Sequence, residues 1–343
     1  MEYDSQYAIF AGPAVRLSVL DQSPIAEGST AGDALRNTID LARWAEQLGY
    51  QRYWLAEHHG TPGLADASPE VMVGPVAAAT SRIHVGTGGV MLPHYSPLKV
   101  AETFSMLSAL YPGRIDLGLG RAAGTSSGIA YALQRDRRQP APDDFHEQLQ
   151  ELLAYLENRG PSTGPFRQLG TLHFESPEPW LLGSSAQSGI WAAELGLPYV
   201  FADFINPNGE AIAEYYREHF EPSARLKQPR VAVATWAICA DSDEEAQRLA
   251  SSMRMLMIML YRGQLIPVPS PETALAFLAK EGVAAETLPV GRRIIVGTQK
   301  KVRAMIEEVA ADYGAEEVFV VNIMHSHVAR KRSYELIARS FAT

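Results

Sequence analysis

Two kinds of apolar pattern take turns along the chain. Short, mainly apolar runs are followed by stretches in which apolar residues recur every three to four positions, the pattern of strand and helix in turn. The runs Val15–Leu20, Tyr53–Ala56, Ile83–Val90, Ile115–Leu119, Pro179–Leu182, Tyr199–Phe204, Val231–Ala240 and Val318–Ile323 are predicted strands. Between the first two, Leu35, Ile39, Ala42, Ala45 and Leu48 share one helical face. Thr30 and Asp33 have the spacing of a capping box, and Gly49 stands where that helix would stop. Ser68-Pro69 and Ser96-Pro97 each put a serine before a proline at the first helical position. Further helices are predicted around 143–157, 186–195, 210–219, 244–261, 299–312 and 332–342.

Strands that are apolar on both faces and separated by helices imply a parallel sheet. An open doubly wound sheet and a closed barrel both satisfy that rule, and eight strand–helix units favour an α/β fold of the (β/α)8 TIM-barrel type. Insertions are expected after strands 4 and 7, at 122–170 and 262–293. The second holds four prolines and no strong periodicity, which suits a mobile lid. Residues 1–14 read as a flexible lead-in and 15–343 as a single barrel domain.

Composition narrows the function classes. Thirty basic against 39 acidic residues leave a net charge of −9, the wrong sign for a nucleic-acid footprint. One cysteine, Cys239, precludes an intramolecular disulfide and a cysteine-based zinc site. No stretch has the apolar length of a membrane span, and the first residues lack a basic n-region, so a cytoplasmic protein is expected.

Barrel chemistry gathers at the C-terminal ends of the strands. Glu57-His58-His59 follows strand 2. Adjacent residues rarely share one metal ion and no HExxH is present, which leaves a proton donor or acceptor at the barrel mouth or, more plainly, a hydrogen-bonded strand-end histidine. Thr87-Gly88-Gly89 ends strand 3, where paired glycines suit either a bulge or the close approach of something flat. Gly120-Arg121 ends strand 4, and Ser184, Ser185 and Ser188 open the helix after strand 5. An arginine meeting a helix N-terminus makes an anion site, although ordinary N-capping would use the same serines. No Walker loop or GxGxxG fingerprint is present, which disfavours ordinary nucleotide folds.

These segments in this order resemble the bacterial-luciferase-like family of flavin-dependent monooxygenases, in its non-luminescent branch. The matching stretches are Tyr53–His59, Val85–Pro93, Pro97–Glu102, Gly113–Arg121 and Trp191–Pro198. The resemblance implies a TIM barrel that binds reduced FMN or, alternatively, an 8-hydroxy-5-deazaflavin coenzyme. It implies catalytic roles for His58 and Glu57, with His58 beside the flavin ring. It places a non-proline cis peptide at Gly88-Gly89 and Thr87 and Gly120 among the cofactor-binding residues. Arg121, Ser184, Ser185 and Ser188 would then hold the flavin phosphate. Two departures, Gly120 where luciferase has a reactive cysteine and Ser184 where it has a glutamate, argue against light emission. The activity implied is oxygenation of a small organic substrate with dioxygen and with reduced FMN from a separate flavin reductase, in a homodimer. A deazaflavin-dependent hydride-transfer oxidoreductase and a non-catalytic flavin-binding homologue are the alternatives.

Overall fold

The computed structural model describes residues 15–121, 127–134, 136–139, 143–157, 175–284, 287 and 293–342. The expected lead-in 1–14 and much of the first insertion lie outside these residues. Strands β1 (Arg16–Asp21), β2 (Arg52–Leu55), β3 (His84–Met91), β4 (Ile115–Gly120), β5 (Glu178–Gly183), β6 (Tyr199–Ala202), β7 (Val231–Cys239), β8 (Ile294–Gly297) and β9 (Glu317–Val321) are all parallel. Each of β1 to β7 pairs with the next, and β7 pairs with β9, which pairs with β1, so eight strands close into a TIM barrel. Helices α1 (Ala31–Gln47), α2 (Pro69–Ala79), α3 (Pro97–Leu110), α6 (Ala186–Glu194), α7 (Glu210–Glu218), α10 (Gln299–Tyr313) and α11 (His327–Phe341) follow the barrel strands. After β4 come α4 (Ser127–Leu133) and α5 (Phe145–Leu156); after β7 come α8 (Asp243–Tyr261) and α9 (Pro271–Lys280).

Local signals act largely as read. Thr30 and Asp33 form a complete capping box on α1. Ser68 and Ser96 precede their prolines as expected, but neither side chain makes a capping hydrogen bond.

The second insertion is larger than the sequence suggested, and the expected boundaries 262–293 need correcting. The lower part of β7, Ala232–Trp236, pairs with β9, and its upper part, Trp236–Cys239, pairs with a ninth strand, β8, that the sequence reading missed. The outer helix between β7 and β9 is α10, which packs on β7, α7 and α11. Helix α8, the helix predicted around 244–261, packs on α9 and β8. Its Ala246, Leu249, Ala250, Met253 and Met257 join the same cluster as the barrel-interior Trp54, Trp180 and Phe319. Helix α9 fills ground that seemed aperiodic, started by Ser270, whose hydroxyl accepts from the Thr273 N–H. No helix among the described residues is long and apolar enough to cross a membrane.

The strand N-termini are sealed by charge. Arg52, 3% exposed, reaches Asp116 at 2.7 Å, Glu178 at 2.9 Å and Glu317 at 3.2 Å. The Trp54 indole N–H also donates to Asp116, at 2.7 Å. Trp180 lies between two guanidiniums, Arg52 at 4.8 Å and Arg230 at 4.4 Å from its ring. With that end closed, a site has to form at the other.

Candidate active site

At the C-terminal mouth the chain leaves β2 through Ala56, Glu57, His58 and His59. Glu57 is buried, 2% exposed. Its Oε2 accepts the Met91 N–H at 2.9 Å, and its Oε1 meets the Tyr95 hydroxyl at 2.8 Å and His59 Nε2 at 2.7 Å. His58 is half-buried and its backbone N–H donates to the Asp66 carbonyl at 2.9 Å. The His58 Nδ1 atom is buried with no hydrogen-bond partner among the described residues. Burial, with a smaller push from His59, drives the His58 imidazole down to about 4, so the ring is neutral at neutral pH. A neutral ring with one open nitrogen can accept or relay a proton.

Next to it, the Gly88-Gly89 peptide bond is cis, as the resemblance implied. The β3–β4 register shifts between Thr87 and Val90, so the two glycines sit in a bulge. A Cβ at Gly89 would lie 2.7 Å from the Gly118 carbonyl oxygen, so only glycine lets the strands approach this closely. Thr87 is fully buried and its hydroxyl donates to that same carbonyl at 2.9 Å, pinning β3 to β4.

Gly120 and Arg121 lead away from β4. A Cβ at Gly120 would meet nothing within 4 Å, so there is open space at this strand end. Arg121 is exposed, and its guanidinium lies 5.5 Å from the ring of Trp191 in α6. Strands β4 and β5 are neighbours, and the arginine reaches the helix that follows β5. Ser185 is the N-cap of α6, and its exposed side chain makes no capping bond. Ser184 is half-buried, and its carbonyl accepts from the Asn206 side chain at 3.1 Å. Ser188 points elsewhere. It is 7% exposed, its hydroxyl donates to the Ser185 carbonyl at 2.6 Å, and it lies 2.9 Å from the Tyr199 hydroxyl. An arginine, a helix start and open space fit an anionic group.

Several neighbours carried no usable signal in the sequence. Trp191 supports Arg121 and also stacks on His146, with ring centroids 5.7 Å apart and planes within 10°. Asp66 is 2% exposed, accepts the Ser68 N–H at 3.2 Å on one oxygen, and has no partner among the described residues on the other. Burial pushes its carboxyl up to about 7, helped by Asp21, Glu70 and Glu57. Among the described residues no cluster of histidine, cysteine and carboxylate side chains could hold a metal ion.

The barrel is sealed by charge at its strand N-termini and carries at its mouth a neutral histidine, a glycine pair, an exposed arginine and a serine-capped helix start. Family comparison gives the class: the luciferase-like monooxygenase model matches residues 15–317, and the chain belongs to that family. It is 40% identical to a luciferase-like monooxygenase of Escherichia coli strain K12, over 94% of this chain and 96% of that protein. It is 37% identical to the N-acetyl-S-alkylcysteine monooxygenase of Bacillus subtilis strain 168, over 94% of this chain and 97% of that one. The crystal structure of apo-MsnO8 superposes with a TM-score of 0.86 at 40% identity, covering 95% of this chain and 98% of that chain. The fold is shared more distantly by the FMN-bound oxygenating constituent of 3,6-diketocamphane monooxygenase from Pseudomonas putida, at 20% identity and TM-score 0.72. It is shared too by a deazaflavin-dependent secondary alcohol dehydrogenase, at 14% identity and TM-score 0.65.

Proposed function

We propose that this protein is a monooxygenase that takes reduced FMN from a separate flavin reductase and uses dioxygen to oxygenate a small organic substrate. The observation that carries the reading is the reach of Arg121 from the end of β4, beside the open space at Gly120, to Trp191 in α6, the helix that Ser185 caps. A flavin with a phosphate tail needs an anion site at one end and a flat floor at the other. Arg121, Ser184 and Ser185 are the groups suited to the phosphate, and the Gly88-Gly89 turn is the floor suited to the ring. Ser188 would support this site by fixing the α6 start through the Ser185 carbonyl. Bound reduced FMN would supply two electrons to dioxygen, one oxygen atom going to the substrate and the other leaving as water. The chain's own part is to orient, to exclude water and, at His58, to hold or pass a proton. The name of the relative from Bacillus subtilis makes N-acetyl-S-alkylcysteines the first substrates to try.

The test is a titration of the purified protein with reduced FMN and with the reduced deazaflavin, followed by turnover of N-acetyl-S-alkylcysteines in air. FMN binding with oxygen transferred to the thioether is the expected result. Tight deazaflavin binding without FMN binding would replace the reading with hydride transfer. FMN binding that yields only hydrogen peroxide with every substrate would favour a non-catalytic flavin carrier.

A further inference from the structure

We propose that Glu57 is a positioning residue, whose carboxylate ties the chain just past Gly88-Gly89 to the turn that carries His58 and so fixes the two sides of the site against each other. Both of its oxygens are engaged and the residue is buried, so it is poorly placed to exchange protons with a substrate. Its donors come from three places: Met91 at the end of β3, Tyr95 just beyond it, and His59 in the turn after β2. The β2–β3 ladder stops at the Leu55–Thr87 pair. Past that point the two strand exits diverge toward His58 and the cis dipeptide, and the Glu57–Met91 hydrogen bond continues the connection. On the other side of β3 the ladder to β4 is broken at the same two glycines. The side chain immediately before His58 thus grips the backbone two residues after Gly89. Through His59 it also fixes a second imidazole beside the first, and His59 adds to the burial that keeps His58 uncharged.

The proposal depends on the FMN reading only for the identity of the ligand, and its test separates the two. Glu57→Gln, Glu57→Ala and Tyr95→Phe are made in the full chain. Three quantities are measured: thermal stability, affinity for FMN and riboflavin, and the imidazole nitrogen resonances of His58 in the flavin-free protein. In Glu57→Gln the amide oxygen can still accept the Met91 N–H, and flavin affinity should stay within about threefold of wild type. In Glu57→Ala the His58 resonances should move and FMN and riboflavin should both bind about tenfold more weakly, a loss of about 1.4 kcal/mol. A Glu57→Ala protein with lower thermal stability, unmoved His58 resonances and unchanged flavin affinity would make Glu57 merely structural and overturn the proposal. If Glu57→Ala does not fold, Tyr95→Phe decides: a smaller shift of the His58 resonances supports the clamp, and none overturns it. If wild type binds no flavin, the FMN reading fails while the His58 resonances still judge Glu57.

Discussion

Arg121 has one described job, resting on Trp191 in α6, so its removal should cost the ligand more than the fold. A charge-assisted hydrogen bond contributes roughly 1.5–3 kcal/mol, about 10- to 150-fold in affinity. Arg121→Ala should weaken FMN by that factor and leave riboflavin, which has no phosphate, nearly unaffected. Equal losses for both flavins in a calorimetric titration would move Arg121 from the phosphate to the ring or the fold. Asp66 makes a prediction of opposite character. Its carboxyl is raised from 3.8 to about 7 in the folded chain, so the folded state holds a proton that the unfolded state has released between those values. Stability therefore falls as pH rises through that window, by about 1.4 kcal/mol per pH unit at most, and is level above it. Asp66→Asn should leave stability unchanged below pH 4 and raise it at pH 8, read by urea melts at both; a flat wild-type profile would contradict the assignment. Asp66 shows why part of the site was unreadable. Residue type and strand-end position are written in the sequence, and they singled out His58, Gly88-Gly89 and Arg121. Which way a hydroxyl or carboxylate turns is decided by packing. Ser188 turns onto the Ser185 carbonyl, Thr87 onto Gly118, and Glu57 onto three donors, none of which spacing could reveal.

Strands declared themselves by short, mainly apolar runs, and every barrel strand was readable for that reason. What helix α8 packs on was not readable, because periodicity shows that a helix has an apolar face but not what the face packs against. Met253 and Met257 would suit an outer wall as well as the mouth cluster they join. Strand β8 is no shorter than the readable β2 and β6, but it belongs to the second insertion and pairs only with the upper part of β7, outside the strand–helix alternation that marked the others. The strand N-termini carry their own signal, since Arg52, Glu178 and Glu317 each open a strand that is otherwise apolar. Together they replace an apolar plug with a buried ion network. Burial works to raise the Asp116 carboxyl, but the Arg52 guanidinium and His84 together outweigh it and hold the group below the usual carboxylate range. Taking away one partner of such a network leaves buried charge uncompensated, at about 3–5 kcal/mol. Arg52→Met should lose that much stability in denaturant melts. Flavin affinity per folded molecule should not change, because the network lies at the opposite end of the strands from His58. Stability within about 1 kcal/mol of wild type would mean that solvent, not Arg52, balances Asp116 and Glu317.

The outer surface of the barrel is uneven in a way that points to a second copy. Helix α2 has a single charged residue, Glu70, over its whole length, yet its outer face is open to solvent. Val71 is 66% exposed there, and on the adjacent α3 Met106 is 55% and Leu110 68% exposed. The two helices touch through Gly74, where an added Cβ would be 3.7 Å from Leu107, so their outward apolar residues lie on neighbouring faces. A helix apolar on every side is normally buried on every side. A self-complementary pair of helices is the economical way to bury it, and standard stable interfaces cover about 1,600 Å² in total. We therefore expect a homodimer related by a twofold axis through α2 and α3. Light scattering of the full chain at micromolar concentration should give twice the chain mass. Met106→Glu with Leu110→Glu should halve it, because a twofold contact sets each new charge near its own copy. The site residues lie at the strand ends and not on the outward faces of α2 and α3, so the charged variant should keep its FMN affinity. A wild-type chain that scatters as a monomer would refute the dimer, and a charged variant that stays dimeric would place the contact on another face.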